Sequence, residues 1–497
     1  MKECLNDRVK SYLSKDVHPM FINGKEVFGT GDLIEIVNPA TEETFAKVSV
    51  AGPAEVDLAV DAAKKAFEGS WSKLSPADRE LMLLRLADKI EEHAEHLAQI
   101  VTMENGKPVG QALSSDVLGA AKIFRYYAGW STKITGETLD ISMKQKPGNH
   151  NFAFTLREPV GVVAAIVPWN FPLSIASWKI APALAAGCTV VLKSSEATPI
   201  SSLYLAELFQ SLDFPPGVFN VVTGPGSITG NHLIKHKDVN KIVFTGSTGV
   251  GKMIGKAAID NVIPVSLELG GKSPAIVFND ADLDAAAKGV AAGIFRNAGQ
   301  VCVAGSRLYV QSDVYDDFVD RVSQLGRKMK LSHGFDPEVE IGPLSTRSHF
   351  KGVCNYIEQG KNEGAELFVG GNNPKDKGFY MEPTIFKANQ NDHMIIQEEI
   401  FGPVLVALPF EDQYDALSKA NNSVFGLAGT IWTKDIDKAL SCVNQLQSGL
   451  ISVNAPVRSE PHLPLGGYKQ SGIGKDMGRE GLLGYTKTKS VNIVYKA

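Results

Sequence analysis

Between residues 160 and 267 the chain alternates between short β-rich runs and longer runs with helical spacing of apolar residues. The pairs are 160–167 with 173–186, 189–193 with 200–212, 218–222 with 228–236, and 241–244 with 250–260, followed by 262–267. This rhythm limits the possible folds more than any other feature. Parallel strands cannot be joined by a tight turn and need a crossover, usually a helix. Strands separated by helical segments therefore predict βαβ units around a parallel sheet. Right-handed crossovers wind such units into a nucleotide-binding fold, with the ligand at the carboxyl ends of the strands.

The flanking regions are read the same way. The N-terminal part predicts short strands at 20–27 and 34–38, then helices at 56–67, 76–99 and 110–127. A second α/β region starts near Gly271, with strands at 275–278, 307–310 and 404–408. Two isolated strand-like segments, 143–155 and 490–495, suit either a protruding arm whose edges oligomerisation would cover, or a pair of ordinary surface hairpins.

The chain has 497 residues, 44% hydrophobic and 21% charged, enough for a large core and two or three domains. Net charge is −5, so no electrostatic footprint for nucleic acid exists. Five cysteines at wide spacing form no CxxC pair and no metal-ligand pattern, which predicts a reduced, cytoplasmic protein without a metal. The N-terminus mixes both charge signs and lacks the apolar run of a signal peptide. The uncharged stretch 159–178 holds Pro168, Asn170 and Pro172 and is followed by Lys179, so it predicts strand, turn and helix rather than a membrane span.

Several motifs carry chemistry. Cys302 lies in Asn297-Ala-Gly-Gln-Val-Cys302-Val-Ala-Gly-Ser-Arg307, a polar, glycine-rich setting in which backbone can approach a ligand. Glu268 precedes it in Leu267-Glu-Leu-Gly-Gly-Lys272. A thiol and a carboxylate together suit formation and hydrolysis of an enzyme-bound thioester, although a core thiol is the competing reading. Gly246-Ser247-Thr-Gly-Val-Gly251 follows a strand and opens a helix, where backbone N–H groups can meet a pyrophosphate. Its GxxGxG spacing is not the dinucleotide fingerprint, and a plain turn also explains it. Gly224-Pro-Gly226 reads as a turn. Lys193 and Glu196 sit just past a strand, where a carboxylate would accept from ribose hydroxyls and repel a 2′-phosphate, favouring NAD over NADP. Asn170, between Trp169 and Phe171, is an amide in apolar company, either a turn-former or an oxyanion donor.

Taken in order, PWNFPL, KSSEATP, FTGSTGVG, LELGGKSP, GQVCVAGSR, EEIFGPV and PLGGYKQSG resemble the NAD(P)-dependent aldehyde dehydrogenase superfamily over essentially the whole chain. The resemblance implies an α/β subunit with a Rossmann-like cofactor domain (1–142 and 156–270), an α/β catalytic domain (271–470) and a small β oligomerisation arm (143–155 and 484–497). It implies NAD as cofactor, an aldehyde substrate and a dimer or tetramer. It makes Cys302 the nucleophile, Glu268 the general base, and Asn170 with the Cys302 backbone N–H the oxyanion hole. Trp169, Lys193, Glu196, Gly246, Ser247, Glu399 and Phe401 would contact the cofactor. GxxGxG is the family's own glycine pattern.

The aldehyde is left open by the residues. By resemblance Phe171, Trp178 and Leu465 wall the pocket, and TLDISM with the Trp178-Lys179 pair resembles phenylacetaldehyde dehydrogenases, which implies an aromatic or apolar aldehyde. Arg296 resembles the arginine that pairs with the substrate carboxylate in succinate-semialdehyde dehydrogenases. Their second arginine is replaced here by Trp178. Arg458 and His462 belong to the same wall. A redox-independent esterase and a non-catalytic scaffold are the remaining alternatives; an intact Cys302 and Glu268 disfavour the scaffold.

Overall fold

A computed structural model describes residues 2–143 and 146–496. Met1, Lys144, Gln145 and Ala497, which fall in segments assigned above to the cofactor domain and the arm, lie outside the described residues.

The alternating region forms five parallel strands in the order Phe219–Val222, Thr189–Lys193, Val162–Ile166, Lys241–Thr245, Val265–Glu268. Thr189–Lys193 and Lys241–Thr245 are buried at every position, as expected of a sheet covered on both faces. Chain order reverses at Val162–Ile166, which pairs with the second strand on one side and the fourth on the other. The turns following Val162–Ile166 and Lys241–Thr245 thus emerge side by side at a topological switch point. The sheet is extended by antiparallel strands at both ends. The hairpin of Met20–Ile22 and Lys25–Val27 closes one side, and Gly472–Ile473, from far along the chain, closes the other.

The second sheet has seven strands in the order Glu366–Val369, Thr384–Lys387, Val404–Phe410, Arg307–Gln311, Pro274–Val277, Ala428–Trp432, Leu450–Val453. Only Glu366–Val369 pairs antiparallel. A third sheet consists of Thr486–Lys496, Asn149–Pro159 and Thr138–Leu139, all antiparallel. Its middle strand starts at Asn149 and runs to Pro159, later at both ends than the strand-like segment predicts.

Three predicted helices are not continuous α-helices, among them 228–236, which is a π-helical turn, Gly226–Gly230, followed by Asn231–Lys235. The predicted 76–99 helix is two, Pro76–Glu92 and Ala94–Asn105, because His93 leaves helical geometry (φ −100°, ψ 15°). The predicted 110–127 helix contains a π-helical turn, Ala112–Val117, before Leu118–Ala128. That turn buries Asp116 completely.

Candidate active site

The chain passes directly from the first large sheet to the second. Glu268 ends a strand of the first sheet, and after Gly270, Gly271 and Lys272 the chain enters the second at Pro274. The segments around Cys302 and Glu399 likewise precede second-sheet strands, Arg307–Gln311 and Val404–Phe410. The carboxyl edge of one sheet therefore faces the amino edge of the other, and the chemical motifs fall in the crevice.

Cys302 is half-buried, and its thiol is pushed up to about 12, first by burial and then by the charges of Glu399 and Glu268. The loop leading to it is strained: Asn297 and Ala298 both have left-handed φ, 50° and 53°, and Gly299 follows at 74°. A Cβ on Gly299 would meet the Gly402 carbonyl oxygen at 2.0 Å, so only glycine fits there. The loop is tied to the turn after Val162–Ile166. Asn170 Nδ2 donates to the Gln300 carbonyl (3.0 Å), and Asn297 Nδ2 donates to the Asn170 carbonyl (3.1 Å). Asn170 is only 2% exposed, and its amide has a second N–H left to donate.

Glu268 is 4% exposed, and neither carboxylate oxygen has a protein partner in hydrogen-bond geometry. The Asp476 N–H lies close but bonds to the Leu465 carbonyl (2.8 Å). Burial, then the charge of Asp476, holds the Glu268 carboxyl well above the usual range. Asp476 itself forms a buried ion pair with Lys179. Gly466 leaves room for the carboxylate, since a Cβ there would lie 3.1 Å from Glu268 Oε1.

The residues assigned to a cofactor frame the same edge. Lys193 is buried, and its ammonium lies 3.8 Å from Glu196. Burial lowers its pKa. Glu196 accepts from the Gly226 N–H at 2.7 Å, so the 224–226 turn supports this carboxylate, a contact the sequence does not reveal. Ser247 caps Thr248–Asp260, accepting from the Val250 N–H, with Gly246 immediately before it. Glu399 accepts from the Gly271 N–H (3.0 Å), and burial pushes its carboxyl up to about 7. A Cβ on Gly270 would lie 2.3 Å from Glu399 Oε2. Phe401 has a left-handed φ of 59°, packs its ring edge-on to Trp169 at 5.5 Å, and has its carbonyl bonded to His349 Nε2 at 2.8 Å. A charged pair at a strand end, a capped helix N-terminus and a buried carboxylate along one crevice form a donor set that fits a dinucleotide.

Residues 28–491 match the aldehyde dehydrogenase family. The chain belongs to this family. It is 44% identical over 482 residues to phenylacetaldehyde dehydrogenase of Pseudomonas fluorescens, covering 96% of each chain. The structure of a Bacillus cereus aldehyde dehydrogenase in complex with NAD+ matches with a TM-score of 0.96 at 44% identity, covering 99% of both chains. Betaine aldehyde dehydrogenase of Staphylococcus aureus, also in complex with NAD+, matches with a TM-score of 0.94 at 38% identity, covering 98% of this chain and 96% of that one.

Within this family member, the pocket candidates fall into one apolar cluster. Trp178 (8% exposed) and Leu465 (2%) belong to the large core, and Phe171, Cys302 and Val303 pack against it. Arg296 is placed differently. It donates to Ser115 Oγ at 2.6 Å and lies 5.7 Å from the Phe171 ring centre. With Arg458 it lines a cavity of about 120 Å³ beside Val301 and Val303. Burial and the Arg458 charge lower its pKa. Sequence reasoning missed Lys107, Asp116, Lys179, His349 and Asp476. Lys179 had a visible signal, a lone charge in an otherwise uncharged helix; the others had none.

Proposed function

We propose that the protein oxidises an aldehyde to its carboxylic acid with NAD, and that the aldehyde is aromatic or apolar, such as phenylacetaldehyde. The observation that carries this reading is the meeting of the Cys302 loop, the Asn170 amide and the unpartnered Glu268 carboxylate in one crevice. The Cys302 thiol loses its proton to solvent, the thiolate sulfur adds to the aldehyde carbon, and the C=O π pair moves onto oxygen, which becomes an oxyanion. The free N–H of Asn170 and the Cys302 backbone N–H are its donors; one such donor contributes ~3 kcal/mol. Lys193, Glu196, Gly246, Ser247, Trp169, Glu399 and Phe401 would hold NAD, which when bound supplies the hydride acceptor that leaves a thioester on Cys302. Glu268 then takes a proton from the water that attacks the thioester, and the acid leaves. A glutamate at this position favours water over coenzyme A as acceptor.

The apolar walls of Phe171, Trp178 and Leu465, and the similarity to phenylacetaldehyde dehydrogenase, support the substrate choice. The cavity shared by Arg296 and Arg458 favours a second reading, a carboxylated aldehyde such as succinate semialdehyde. NADH formation, followed by absorbance with phenylacetaldehyde, hexanal, betaine aldehyde and succinate semialdehyde, each with NAD and NADP, separates them. Higher kcat/KM for phenylacetaldehyde and hexanal with NAD is the expected result. Preference for succinate semialdehyde would make Arg296 an anion anchor. Preference for betaine aldehyde would reject both substrate readings, and absence of NADH throughout would remove the redox assignment.

A further inference from the structure

We infer that Lys107 is a positioning residue that aims the Asn170 amide, a role that rests on Asn170 being the oxyanion donor. Lys107 follows Gly106, whose φ of 94° ends the helix Ala94–Asn105. A Cβ on Gly106 would lie 2.7 Å from Pro39 and 2.8 Å from Pro343, so the turn is clamped on both sides. It sends the lysine inward, where it is 1% exposed. Its Nζ donates to the Asn170 carbonyl at 2.6 Å and to Asp116 Oδ2 at 2.5 Å, and sits 3.9 Å from the centre of the Phe171 ring. Two of these three contacts are made to the turn that bears the oxyanion donor, and the third to the carboxylate that neutralises the lysine.

Asp116 links this lysine to the next element. Its other oxygen accepts from the Ser174 N–H (3.3 Å), in the first turn of Pro172–Ala186. It reaches this place through the π-helical turn Ala112–Val117, an insertion of the kind that redirects a side chain within a helix. Asn105 completes the arrangement by donating to the Trp169 carbonyl at 2.9 Å. The peptides on both sides of Asn170 are thus held from the Asn105–Lys107 corner, while the Asn170 side-chain amide is held by Gln300. A buried ion pair adds little stability compared with apolar side chains of the same size. What Lys107 supplies that an apolar chain cannot is a directed hydrogen bond onto the Asn170 peptide. Displacing a group that contacts the reacting atoms by about 1 Å costs on the order of 100-fold in rate.

A double-mutant cycle tests the inference: Lys107→Met, Asn170→Ala and the double variant, each measured for kcat, NAD affinity by fluorescence quenching and melting temperature. K107M is expected to lower kcat by at least about tenfold with NAD affinity within about twofold, and N170A by about 100-fold. The double variant should fall no further than N170A, because a residue acting through another loses its effect once that other is gone. Losses that multiply, or a K107M enzyme with normal kcat, would overturn the inference while leaving Asn170 in its role. Normal turnover in N170A would instead overturn the oxyanion assignment, and the inference with it. Should K107M fail to fold, K107M/D116L removes both buried charges together and completes the same cycle with the same criteria.

Discussion

Burial pushes both Glu268 and Cys302 toward their neutral forms, and this sets how activity should respond to pH. A carboxyl whose pKa is raised stays neutral until pH climbs past it, and only the ionised form can accept a proton from water. Deacylation should therefore rise with pH through the raised Glu268 value. Glu268→Gln removes the proposed base, so a covalent acyl-enzyme should build up on Cys302, visible by intact-protein mass spectrometry; normal turnover without an adduct would point to another base. Asp476→Asn removes the negative neighbour that helps keep Glu268 protonated and should shift the rise of kcat to lower pH. An unchanged profile would mean burial alone sets it. For Cys302, a thiol pushed up to about 12 means that alkylation by iodoacetamide in the NAD-free protein should accelerate about tenfold per pH unit, without a plateau near neutrality. Cys302, Glu268 and Asn170 could be singled out as candidates from the sequence because each sits in a short motif whose neighbours bear on the same chemistry. Lys107 and Asp476 were not. Lys107 takes its meaning from Asn170, 63 residues away, and Asp476 from Lys179, 297 residues away. No local pattern encodes such distant pairs.

At the scale of elements, the end of Thr189–Lys193 and the 224–226 turn act together. The Gly226 N–H fixes the Glu196 carboxylate with Lys193 beside it, so a negative charge stands where an adenosine ribose would bind. Glu196→Ser removes that charge and leaves the cation. It should raise kcat/KM with NADP and lower it with NAD, each by about tenfold, as expected when ~1.4 kcal/mol of discrimination changes on either side. A ratio of the two that does not move would place the 2′-hydroxyl elsewhere. The parallel strands were readable because burial on both faces demands continuous Val, Ile and Ala runs. The break at His93 was not, since the apolar spacing continues across it while the backbone does not. The π-helical turn was hidden for the same reason: it shifts side chains around the helix without altering composition.

At the scale of the whole molecule, the small third sheet keeps an open edge among the described residues. Thr486–Lys496 pairs with Asn149–Pro159 over eleven positions and lies at the outer edge of its sheet, with no further strand beside it among the described residues. Phe152, Leu156, Ile493, Val494 and Tyr495 are exposed on these two strands. The sequence placed the two strands in one arm but did not give their register, because the pairing spans more than 300 residues. A long open edge with exposed apolar side chains invites association, and proteins that keep one usually cover it. A second copy of the chain is the simplest cover, since self-complementary surfaces give closed symmetric assemblies. The core does not depend on this strand: Tyr485, immediately before it, is the last residue of the C-terminal segment in the large apolar cluster. Deleting residues 487–497 should therefore leave a folded protein that still binds NAD but runs as a smaller species than the full chain by light scattering at equal concentration. If the full chain is itself monomeric, or the truncated one keeps its assembly, the arm does not hold copies together, and its apolar face requires another explanation.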